Sequence, residues 1–284
     1  PQPCSHPQVA KRLCQQDLVG FASSFAIVLQ GFAAVGATPE QAASGLFALT
    51  LAVGLLGIVL SAKTKIPVAI AWSTPGAALL MTTGAVEGGF AAAVGAFMVA
   101  GALIVVAGLW RPFGRAVSSI PMPLASAMLA GILFNLCLAP VRALSEMPLA
   151  ALPIILVWAV ALRFARIWAV PLAVIATGLI IAFTTPLPEG ALTNIMPSPV
   201  LVLPGISLDA LVGIAIPLFV VTMASQNIPG LTVLRSNGYE PDVRPIFVST
   251  AVVSMVIAFL GSQLVNLAAI TAALCAGPEA GEYR

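Results

Sequence analysis

Residues Ile70-Ala71-Trp72-Ser73-Thr74-Pro75-Gly76-Ala77-Ala78-Leu79-Leu80 lie deep in an apolar chain, yet they cannot form one unbroken helix. Pro75 has no N–H and pushes Thr74 towards extended geometry, while it suits the first turn of a helix that starts there. Ser73 or Thr74 then falls at the N-cap, and Gly76 leaves the new terminus uncovered. Free N–H groups and the positive end of the dipole make such a terminus an anion site. In lipid, extended backbone survives only where protein buries it or it lines a cavity. The stretch predicts a half-helix whose N-terminus points into a polar pocket.

Composition says that lipid is the relevant solvent. Of 284 residues, 60% are hydrophobic and 8% charged, with a mean hydropathy of +1.07. A soluble domain carries roughly 25% charged residues. The net charge of +2 comes from basic residues scattered through loops, which excludes a nucleic-acid partner. Cys4, Cys14, Cys137 and Cys275 show no metal spacing, and the two in apolar segments, Cys137 and Cys275, are expected to be small buried hydrophobes. Pro1 to Ala10 is polar and lacks a signal-peptide layout.

With roughly 20 apolar residues as the spanning length, ten segments are expected: Leu18–Gly36, Ala42–Leu60, a half-length Pro75–Ala85, Phe90–Leu109, Leu124–Pro140, Leu149–Leu162, Trp168–Phe183, Asp209–Ser225, Ile246–Leu260 and Ser262–Ala276. A cytoplasmic N-terminus puts Lys11, Arg12, Lys63, Lys65, Arg111, Arg115, Arg163, Arg166, Arg235, Arg244 and Arg284 inside, and only Arg142 outside. Glu40, Glu87, Glu146, Glu189 and Asp209 all fall on the outer face. This is a strong positive-inside pattern.

Seven segments (residues 1–183) precede a proline-rich linker (184–208), so whatever follows (209–284) is inverted relative to the first half. Gln30 in the first span precedes Thr74 by 44 residues; Gln226, at the end of the eighth, precedes Asn266 by 40. Each half therefore offers a polar amide in its first span and a small-residue half-helix in its third. Paired discontinuous helices at corresponding repeat positions point to a transporter's binding site.

Trp72-Ser73-Thr74-Pro75-Gly76-Ala77-Ala78-Leu79-Leu80, Gln226-Asn227-Ile228-Pro229-Gly230 and Val265-Asn266-Leu267-Ala268-Ala269-Ile270-Thr271-Ala272-Ala273 resemble the signatures of the benzoate membrane transporter (BenE) family. The resemblance runs from about Asp17 to Glu279. It implies an all-α polytopic membrane protein of the uracil-permease and sulfate-permease type, seven plus seven inverted segments forming a core and a gate. There the third and tenth segments start as short strands and continue as half-helices. The resemblance also implies four further spans, which this sequence does not carry past Arg284. Uracil-permease relatives place glutamates in the eighth and tenth segments, where Gln226, Asn227, Val265 and Asn266 stand here. No ionisable residue is expected at mid-membrane, so proton symport follows from the resemblance alone. Homologous folds often form homodimers, although no interface is legible in this chain.

The expected substrate is an aromatic carboxylate, benzoate first, with the proton as coupling ion and the lipid bilayer as surroundings. Its site would comprise Gln30, Ser73, Thr74, Pro75, Gly76, Gln226, Asn227, Asn266, Leu267 and Ala268. Each has a plainer reading: a packed kink for Ser73 to Gly76, interhelical hydrogen bonding for the amides. Phe25 and Phe32 suit core or lipid contact better than ring stacking, and Trp110, Trp158 and Trp168 suit interface anchoring. Asp17 and Asp209 read as solvated interface residues or N-caps. Asn135 reads as packing, and His6 carries no assignment. Rival readings are a carrier of sulfate, bicarbonate or a nucleobase on the same fold, an anion channel, or a binding protein. No His/Cys/Asp/Glu cluster in the membrane segments supports an enzyme or a cofactor.

Overall fold

A computed structural model describes residues 24–110, 112, 127, 134, 137–165, 168–184, 197–268 and 271–272. Helix α1 (Ser24–Ala34) leads into α2 (Pro39–Thr64). Strand β1 (Ile70–Trp72) and helix α3 (Thr74–Thr83) follow, then α4 (Gly89–Leu109). Helices α5 (Pro148–Phe164) and α6 (Ala169–Thr184) precede α7 (Leu208–Ser236), α8 (Val243–Ala258) and strand β2 (Val265–Leu267). Among the described residues, α2, α4 and α7 are long and apolar enough to cross a membrane. The expected first span is described only from Ser24, and the expected fifth span, with Asn135, lies largely outside the described residues, as do Asp17, His6 and Cys275.

Local signals set the helix starts. Thr38 and Gln41 form a reciprocal capping box, the Gln41 N–H donating to Thr38 Oγ1 at 3.3 Å and the Thr38 N–H to Gln41 Oε1 at 2.9 Å. Pro39 occupies the first turn, where its missing N–H costs nothing. Along α2, Leu49 is fully buried whereas Leu55 and Ile58 are 63% and 71% exposed. Leucine and isoleucine on an outward face are at rest in hydrocarbon, not in water.

Helix α7 departs from expectation. The eighth span was expected to stop at Ser225; instead the helix continues to Ser236. Two π turns, Leu211–Ala215 and Met223–Asn227, absorb the prolines. Pro217 and Pro229 follow these turns by two residues and cannot donate to Gly213 and Ser225. A wider turn ahead of each ring relieves the clash without ending the helix.

Small residues bring the helices together. A Cβ on Gly31 of α1 would stand 2.7 Å from the Ala77 carbonyl oxygen of α3, and one on Gly101 of α4 would stand 2.8 Å from Met255 Cγ of α8. The buried core draws on residues between Val28 and Ala107 and between Val202 and Leu267, and on no described residue of α5 or α6. Those two helices pack mainly on each other. Phe32 belongs to the core, edge-on to Phe90 with ring centroids 6.3 Å apart. Trp110, Trp158 and Trp168 are exposed.

One smaller expectation is corrected: Cys137 is exposed, not buried. Of the two readings open for Asp209, its exposure agrees with the solvated one; Ser207 holds the N-cap of α7, and the Asp209 carboxylate accepts from the Glu87 N–H at 3.2 Å, tying the α7 start to the α3–α4 loop.

Candidate functional site

Strands β1 and β2 pair antiparallel, Ile70 opposite Leu267, Ala71 opposite Asn266 and Trp72 opposite Val265. The ladder extends one bond at each end, Ser73 N–H to the Leu264 carbonyl at 3.3 Å and Ala268 N–H to the Ala69 carbonyl at 2.9 Å. Side chains from α7 and α8 satisfy the outer backbone groups. Asn227 Oδ1 accepts from Leu267 N–H at 3.0 Å, and Ser254 Oγ accepts from Val265 N–H at 2.8 Å. A two-stranded crossing survives inside an apolar bundle because its donors are paired from all sides.

Helix α3 starts directly from β1. Ser73 is the N-cap, its hydroxyl accepting from Gly76 N–H at 3.0 Å, and Ala77 N–H bonds the Ser73 carbonyl at 2.9 Å. Pro75 has no N–H. The Thr74 N–H is therefore the first-turn donor left without an acceptor among the described residues. Leu218 closes the terminus, since a Cβ on Gly76 would stand 2.6 Å from its Cδ1. The self-capped geometry differs from the uncovered terminus expected.

Ser73, Thr222, Asn227, Gln263 and Asn266 are all buried to 1% exposure or less. Ser73 Oγ lies 3.1 Å from Thr222 Oγ1, and Gln263 Nε2 donates to the Ser73 carbonyl at 3.1 Å. Asn266 Nδ2 donates to the Leu267 carbonyl at 2.8 Å. No charged residue is buried among the described residues, so the cluster is neutral throughout. It can exchange hydrogen bonds but offers no acid, base or metal ligand set.

The expected site residues divide. Ser73, Pro75, Gly76, Asn227, Asn266, Leu267 and Ala268 gather buried at the crossing, and Thr74 and Gln226 are half-buried. Gln30 is exposed, although its neighbour Gly31 touches α3. Asn266 and Leu267 are strand residues, not the opening of a helix. The helical bond seen after them runs from Ala272 N–H to the Ala268 carbonyl at 2.9 Å. Gln263 and Thr222 were missed as site residues. Gln263 had a signal, a Ser262-Gln263 pair interrupting an apolar run three residues before Asn266.

The whole described layout, from polar crossing to lipid-facing leucines, coincides with a family match over residues 3–284 to the model described as benzoate membrane transport protein. The chain belongs to the BenE benzoate membrane transport family. Members are membrane transporters, not enzymes. Two relatives match this BenE chain over about two thirds of their own length. An inner membrane protein, YdcO, of Escherichia coli K12 is 39% identical over 271 residues, 93% of this chain and 67% of the relative. The benzoate membrane transport protein of Acinetobacter baylyi is 30% identical over 271 residues, 94% of this chain and 68% of the relative. No solved structure matches.

Proposed function

We propose that this BenE protein is a secondary transporter of aromatic carboxylates, benzoate first among them, driven by proton symport across a bacterial inner membrane. The carboxyl group binds where the starts of the third and tenth segments meet, at the N-terminal ends of two opposed half-helices. Ser73, Thr74 and Gln226 complete its hydrogen bonds beside the buried amides of Asn227 and Asn266, and Gln30 joins when α1 shifts along α3. Residues 1–183 and 209–284 are read as inverted halves joined by the linker 184–208. The observation that carries this reading is the antiparallel pairing of β1 with β2, since oppositely directed strands are what two inverted segments bring to one crossing. The packing of α5 with α6, apart from the bundle that holds the crossing, supports their assignment to a gate.

The cytoplasmic N-terminus is supported by charge placement. Helices α2 and α7 each carry an acid in the first turn, Glu40 and Asp209, and a base in the last, Lys63 and Arg235. The two bases support a reading with both C-terminal ends inside.

Thermal stability in detergent against benzoate, hydroxybenzoates, uracil, sulfate and bicarbonate tests the substrate. A ligand specific for the fold adds about 2.7 kcal/mol at a hundredfold excess over Kd. Benzoate is expected to raise the midpoint, and Thr74→Val or Asn266→Leu to abolish the rise. A rise with uracil or sulfate alone would leave the fold assignment intact and replace the substrate.

A further inference from the structure

We infer that Gln263 makes this site specific for the neutral carboxylic acid: the bound acid donates its O–H to Gln263 Oε1 and accepts from the α3 N-terminus. The inference rests on reading the β1–β2 crossing as the substrate site. Gln263 has no solvent exposure. Its Nε2 is committed to the Ser73 carbonyl at 3.1 Å, and this fixes which end of the amide is oxygen, because two carbonyl oxygens would repel there. Gln263 Oε1 has no hydrogen-bond partner among the described residues, and neither does Asn266 Oδ1, whose Nδ2 is likewise committed to a backbone carbonyl. A buried acceptor without a donor is costly, and its usual explanation is a missing partner.

The spare groups define that partner. Around the α3 cap, Gly76 N–H is already used by Ser73, Pro75 has none, and Thr74 N–H remains. Two spare amide oxygens in one buried cluster do not suit a carboxylate, which only accepts. They suit a carboxylic acid, which accepts at its carbonyl and donates at its hydroxyl. The proton then needs no carrier on the protein. Benzoate takes a proton from hydronium on the side of entry, releasing water, crosses as the neutral acid, and returns the proton to water on the other side. No bond to the protein forms, and one proton moves per substrate.

The test is ligand competition on the reconstituted protein between pH 6 and 8. A carboxylic acid titrates near pH 4, so the apparent Kd for total benzoate should rise about tenfold per pH unit. Benzamide, neutral throughout with one carbonyl acceptor and two N–H donors, should compete with a pH-independent constant. Benzenesulfonate, anionic throughout, should not compete. Gln263→Met should weaken both benzoate at pH 6 and benzamide at least tenfold. If that variant does not fold, the wild-type comparison still decides.

Benzoate binding that is flat with pH, with benzenesulfonate competing and benzamide not, overturns the inference while leaving the substrate assignment standing. Sodium-dependent, pH-independent binding overturns it by giving the acceptors a cation. Unchanged ligand preferences in Gln263→Met overturn it by reducing the spare oxygen to a water site. Failure of benzoate, benzamide and benzenesulfonate alike to bind would instead sink the substrate assignment itself.

Discussion

The two strands at the crossing reach the same antiparallel pair by different means. At β1–α3, everything needed is within four residues: Ser73 caps, Pro75 blocks the helix from extending backwards, and Gly76 keeps the terminus narrow. At β2 nothing local does this work. Its Val265 N–H is held by Ser254 of α8 and its Leu267 N–H by Asn227 of α7, 11 and 40 residues away. One start is written in its own sequence; the other is imposed by the bundle. The first is accordingly expected to fail through crowding or loss of a cap, the second through loss of a distant partner.

The largest effect is expected at Gly76. A Cβ there would stand 2.6 Å from Leu218 Cδ1 and 2.7 Å from Ser73 Oγ. Gly76→Val should destabilise by about 3 kcal/mol, the upper part of the range for overpacking, read as a fall in the thermal midpoint. A variant as stable as the parent would show that the α3 start is not tightly closed by α7.

Removing one partner at each start compares the two modes directly. Asn227→Leu leaves the Leu267 N–H buried without an acceptor, at a cost of about 2 kcal/mol. Ser73→Ala removes a cap, worth about 1 kcal/mol, because Gly76 N–H loses its acceptor while Thr222 loses a hydroxyl neighbour. Hydrogen exchange should also separate them. Asn227→Leu should expose the amides of Val265 to Ala268, and Ser73→Ala those of the first turn of α3. The reverse ranking, with β2 indifferent to Asn227, would mean that strand pairing alone sustains β2.

This difference also decides what could be read from the chain. The α3 start was legible because proline, cap and glycine act on their immediate neighbours. The half-helix expected to open at Asn266 was displaced, because β2 extends through Leu267 by pairing with β1, a contact across nearly 200 residues. Gln263 was passed over for the same reason: its amide matters only because Ser73 sits beside it. The expected eighth span ended at Ser225, short of Pro229, whereas the helix runs on to Ser236. A π turn lets the helix pass the proline, at a position where the ring's cost is shared with the packing around it. Gln30 illustrates the converse, a polar residue in the right place along the chain but on the outward side of α1.

The smallest effect concerns a third helix start, local like that of α3 but wet. Glu40, in the first turn of α2, is exposed, and its carboxyl is held below the usual carboxylate range, first by its own backbone N–H and then by the Thr38 hydroxyl. A carboxyl depressed in the folded state stabilises the fold above its unfolded pKa, and that contribution is lost as pH falls through the folded value. Glu40→Gln should therefore lower the thermal midpoint slightly at pH 7, with the gap to the parent closing below about pH 4. The deficit of Asn227→Leu should not change over the same range, because no charged group is buried at the crossing among the described residues. A Glu40→Gln gap that persists in acid would assign it to side-chain packing instead of charge. A pH-dependent deficit in Asn227→Leu would require a titrating group coupled to β2, and would place the two starts under different electrostatic control.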